Sequence, residues 1–67
     1  MRHTIEYQRA NGHGGSEPFV NVTHYRAAVR ALLAEHAQRG HVIEDVHGRI
    51  EVRDRTGVRI ATYWFVD

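Results

Sequence analysis

The 67-residue chain has no cysteine, no lysine and only one proline. Without cysteine no disulfide can supplement the core, and thiolate metal sites are excluded. No apolar run approaches the ~20 residues that a membrane span needs. Met1-Arg2-His3-Thr4-Ile5-Glu6 carries no signal-peptide core. These absences lead to the expectation of an intact, cytoplasmic protein with no membrane partner. All nine basic residues are arginine, which fits a GC-rich genome because lysine codons are AT-rich. Arginine also makes bidentate and stacked contacts that lysine does not. Charge of either sign is scarce in excess: the net value is +1. Non-specific nucleic-acid binding requires a clear positive surplus, so that class is disfavoured.

At this length the chain forms one small domain over residues 1–67, burying roughly 60% of the surface that the unfolded chain exposes. Such a core supplies about 3–5 kcal/mol of net stability. Ile5 and Tyr7 alternate with Thr4, Glu6 and Gln8, predicting a half-buried strand over about 3–9. Asn11-Gly12-His13-Gly14-Gly15-Ser16 predicts a flexible loop, and Phe19-Val20-Asn21-Val22 a short strand over about 18–22. The competing reading of residues 17–22 is an irregular lead into a helix.

That helix is predicted over about 23–39, with Thr23 as N-cap and Gly40 as the left-handed terminator. Tyr25, Ala28, Val29, Leu32, Leu33 and His36 fall on one face, with Arg26, Arg30, Ala34 and Gln38 away from it. Glu35 and Arg39 form an i,i+4 pair.

The last third reads as a meander with strands at about 41–45, 49–54 and 58–66. Asp45-Val46-His47-Gly48 and Asp54-Arg55-Thr56-Gly57 share one pattern, that of a three-residue hairpin with a glycine bulge. That turn sets Asp45 opposite Arg49, Asp54 opposite Val58, Arg53 opposite Arg59, Val52 opposite Ile60 and Arg49 opposite Tyr63. Val42, Ile50, Val52, Val58, Ile60 and Trp64 then face the helix. Ile43, Asp45, Arg49, Glu51, Arg53, Arg59, Tyr63 and Phe65 form the opposite face. The final strand is apolar on both sides, so it belongs in the middle of the sheet rather than at an edge. Pairing it with the first strand gives a ββαβββ chain of the α+β class. Its antiparallel order is 2-1-5-4-3, with one helix on one face.

Six histidines raise the question of a metal. None of His3, His13, His24, His36, His41 and His47 has a partner three or four residues away, the helical spacing of a zinc pair. His36 and His41 can converge at the helix end, but His24 cannot easily join them, so no metal is expected. The glycine loop lacks the Gly-Lys-Ser/Thr of a phosphate loop and the fixed spacing of a dinucleotide loop. No nucleophile–base–orienter set is visible, and no cofactor or catalytic residue is expected. The face with Arg49, Arg53, Arg59, Tyr63 and Phe65 carries the residue types that dominate interfaces. The expectation is a non-enzymatic protein-binding accessory or regulatory module, with a homodimer through Tyr63–Phe65 as one form of it. By analogy with other compact cysteine-free domains, it would be an inhibitor or host-interaction protein of a phage or mobile element. The alternative is a nucleic-acid-binding module that uses the same arginine–aromatic face.

Overall fold

A computed structural model describes residues 3–67. Strands β1 (His3–Arg9) and β2 (Gly14–Phe19) precede helix α1 (Val22–Gln38), and β3 (Val42–Val46), β4 (Arg49–Arg53) and β5 (Arg59–Val66) follow it. The sheet is fully antiparallel in the order β2-β1-β5-β4-β3, as the two-sided apolar character of β5 requires. The helix covers one face. No described helix is long and apolar enough to cross a membrane.

β2 lies earlier than its apolar residues suggest. Gly14, Gly15 and Ser16 are strand, paired with Gln8, Tyr7 and Glu6, whereas Val20 is fully exposed before the helix. Pairing with β1 overrides the weak strand preference of glycine. A Cβ at Gly15 would come within 2.9 Å of the Tyr7 hydroxyl, so any larger residue there would require the tyrosine to shift. Pro18 is tolerated because β2 is an edge strand.

The N-cap is Asn21, not Thr23. The Asn21 side chain accepts hydrogen bonds from the backbone N–H groups of Thr23 at 2.8 Å and His24 at 3.1 Å. Replacing Asn21 by alanine should cost about 1 kcal/mol, whereas Thr23→Ala should be close to neutral; urea unfolding followed by circular dichroism checks both. At the other end Gly40, at φ +76°, donates to the Ala37 carbonyl, and His41 donates to that of His36. These two bonds make a Schellman cap. The apolar stripe of α1 faces the sheet as expected: Tyr25 is buried, while Ala28, Val29, Leu32, Leu33 and His36 are half-buried.

The two final hairpins differ from each other. The second has the expected three-residue loop: the Asp54 N–H donates to the Val58 carbonyl, and Gly57 N–H to the Asp54 carbonyl. The first does not. Val46 pairs with Arg49 across two residues, His47 at φ +52° and Gly48 at φ +84°. Positive φ at both central positions is the type I′ geometry. The β3 register therefore moves by one residue. Ile43 and Asp45 turn to the helix side opposite Val52 and Ile50, and Val42 turns outward, 50% exposed.

A second one-residue shift lies in β5. Arg53 pairs with Arg59 as expected, but Val52 pairs with Ala61, so Ile60 is an extra residue at a bulge. Beyond it every side chain of β5 lies on the face opposite to that of a regular ladder. Ala61 and Tyr63 are buried under the helix, with Phe65 packed against them. Trp64 stands on the face that the helix leaves open. Val58 is 58% exposed and takes no part in the core. The buried centre comprises Ile5, Tyr25, Val52, Ala61 and Tyr63.

Candidate protein-docking face

The helix-free face is organised by cross-strand rows. Trp64 stands opposite Glu6, and Thr62 lies between Gln8 on β1 and Glu51 on β4. Glu51 is in turn opposite Glu44 of β3. Two carboxylates directly opposed across a sheet repel each other. Arg53 resolves this by reaching both, 3.6 Å from Glu44 and 3.6 Å from Glu51. Arg49 approaches Glu51 from its other side at 3.3 Å. Glu51 and Thr62 are only 7% and 5% exposed although no helix covers them. Their cover comes from the side chains around them. Every buried side-chain nitrogen or oxygen among the described residues has a hydrogen-bond partner.

Trp64 is half-buried, with a shallow hollow on either side. One has Gly12, Gly14 and Gly15 in its lining. The other is formed by Arg49, Arg59, Thr62 and Gln8. Val42 and Val66 lie on the same face, 50% and 45% exposed.

Arg49, Arg53 and Arg59 are thus brought together, but Tyr63 and Phe65 are not with them. The bulge at Ile60 sends both aromatics to the helix side. Tyr63, 6% exposed, offers almost no surface to a partner. Trp64 takes their place among the arginines. Only the alternation of β5 signals this, and it fits either face equally well.

A second cluster lies on the helix side. His36 Nε2 is 2.9 Å from the Tyr63 hydroxyl, and His36 Nδ1 is 2.9 Å from His41 Nδ1. The expected approach of His36 and His41 is present, and Tyr63 makes it a chain of three. Either Tyr63 donates to His36, which donates to His41, or the chain runs in reverse. Among the described residues no group of three His, Asp or Glu side chains is placed to hold a metal.

Burial, and next the proximity of His41, pushes the His36 imidazole below its ordinary pKa of 6.5. The folded chain therefore prefers neutral His36. This contributes stability that is complete above the unfolded value near 6.5 and is lost as the pH falls through the lowered folded value. The urea midpoint should fall between about pH 7.5 and about pH 5, and His36→Gln should flatten that slope. Asp54 acts in a separate window. The Thr56 hydroxyl, and then the Val58 N–H, hold its carboxyl below 3.8, so its contribution is lost only under stronger acid.

No protein-family model, curated protein or solved structure matches the chain.

Proposed function

We propose that this protein is a small cytoplasmic binding module that docks another protein on its helix-free sheet face, centred on Trp64, and acts by occupancy rather than by chemistry. The observation that carries this reading is a half-exposed tryptophan set among arginines, of which Arg49 and Arg53 are already paired to carboxylates. Tryptophan and arginine are the side chains most often found at interface hot spots, and a rim of paired charges keeps water from them. Val42 and Val66 add exposed apolar area on the same face.

Charge separates this reading from nucleic-acid binding. Arg49, Arg53 and Arg59 share the face with Glu6, Glu44 and Glu51. Three cations against three carboxylates leave no surplus for phosphates, whose binding rests on released counterions. An accessory or inhibitory role, for instance for a phage of a GC-rich host, fits a module of this kind.

The test uses nuclease-treated lysate of the source organism, with the wild-type chain and Trp64→Ala as paired baits. The expected result is a protein retained by wild type through high salt and absent from Trp64→Ala. Retention that vanishes with nuclease, or falls steeply with salt, would transfer the assignment to nucleic acid. Equal retention by both baits would remove Trp64 from the interface.

A further inference from the structure

On the opposite side of the sheet the helix leaves a strip uncovered. A groove runs there between α1 and strands β1 and β2. It has a volume of about 450 Å³, with Ile5, Tyr7, Ala28, Ala31 and Leu32 in its lining. An adjoining hollow of about 230 Å³ shares Arg9, Leu32, Glu35 and Tyr63 with it and reaches His36. Alanines on the facing side of the helix make the room.

Arg9 is held firmly at its backbone. It ends β1 opposite Ala61, and its N–H donates to the His13 carbonyl at 2.7 Å. Its guanidinium lies 5.6 Å from the centre of the Tyr7 ring. It makes no ion pair among the described residues. The groove holds two carboxylates, and neither forms an ion pair with Arg9. Glu35 is engaged by Arg39 at 2.7 Å. Glu17 pairs with Ile5, four residues back along β1 and about 13 Å away at the rise of a strand.

We propose that this groove binds a small amphiphilic carboxylate, with a planar apolar body between Tyr7 and the Ala31–Leu32 turn and an acid group on Arg9. The volume lies within the range of sites that bury small organic ligands. One unpaired guanidinium matches one carboxylate through two parallel hydrogen bonds. Glu17 and Glu35 at the borders disfavour a doubly charged phosphate. The site is independent of the docking face, since the sheet separates them.

The test is a titration of the labelled protein with 4-phenylbutyrate, and with 4-phenylbutanol as the uncharged match, followed by amide chemical shifts. Saturable shifts at Arg9, Ala31, Leu32 and Glu35 are expected with the acid. Arg9→Gln should weaken the acid about tenfold and leave the alcohol unchanged. Ala31→Leu should block both by filling the groove. Both residues are exposed, so the remaining spectrum reports whether each variant keeps the fold. No saturable change, equal binding of alcohol and acid, or acid binding unaltered in Arg9→Gln would each overturn the proposal.

Discussion

Replacing Tyr63 by alanine should leave the chain largely unfolded at room temperature, through a loss of about 3–5 kcal/mol. The ring is 6% exposed, stacks on Phe65 at a centroid distance of 6.1 Å and holds His36 through its hydroxyl. A core this small supplies only about 3–5 kcal/mol in total, so one cavity of that size consumes it. Trp64→Ala, one residue along, should cost only about 1 kcal/mol, because its ring stays partly in water on the open face. Tyr63→Phe separates the two contributions of the tyrosine. It keeps the ring and loses about 1 kcal/mol with the hydrogen bond. Far-UV circular dichroism with urea denaturation reads all three. A folded Tyr63→Ala beside an unfolded Trp64→Ala would reverse the assignment of the two faces.

The reason that assignment is hard to read from the chain is specific. β5 runs Ile60-Ala61-Thr62-Tyr63-Trp64-Phe65-Val66, with large apolar groups at both phases of the alternation. Its periodicity places the strand at the sheet's centre, and the observed order confirms that placement. Periodicity cannot choose the inward phase. The choice rests on register, and both registers depend on one residue. Asp45 and Gly48 repeat the spacing of Asp54 and Gly57, yet the first pair spans a two-residue turn. A histidine with positive φ at position 47 leaves only a weak sequence signal, because that conformation is uncommon for every residue but glycine, even for histidine, which adopts it more readily than most. Ile60 is likewise an ordinary strand residue that becomes a bulge only in its ladder.

Several elements governed by local chemistry were legible, though the Asn21 N-cap and the two-residue turn at His47-Gly48 were not. The helical stripe, the Gly40 terminator, the Asp54 turn and the outward set Arg49, Glu51 and Arg53 all match the structure. The neighbours of β4 do not, because each is displaced by one position relative to it. The candidate site inherits that split. The three arginines share one face as the register implies, while the aromatic residue on that face is Trp64 and not Tyr63 or Phe65. The approach of His36 and His41 was also legible from their positions at the helix end. Tyr63 was hidden as their third member, because the regular register points it away from the helix.

The same geometry sets the size of the binding effect at Trp64. A tryptophan at the centre of an interface costs at least about 2 kcal/mol when truncated, roughly a 30-fold loss of affinity. Trp64→Ala should reach that level against the partner protein, while Arg26→Ala, on the exposed side of the helix, should change nothing. Glu51 gives the complementary result. Glu51→Gln removes the charge that Arg49 and Arg53 share, leaving their guanidinium groups on one face with two carboxylates instead of three. Binding to the partner should weaken as the arginines lose their alignment. Binding to single-stranded nucleic acid should rise at low salt and disappear as salt is added. Fluorescence of Trp64, the only tryptophan, reports both titrations directly. If Glu51→Gln gains no affinity for nucleic acid, charge balance is not what keeps this face from binding phosphates. The preference for protein would then rest on the shape of the surface around Trp64 alone.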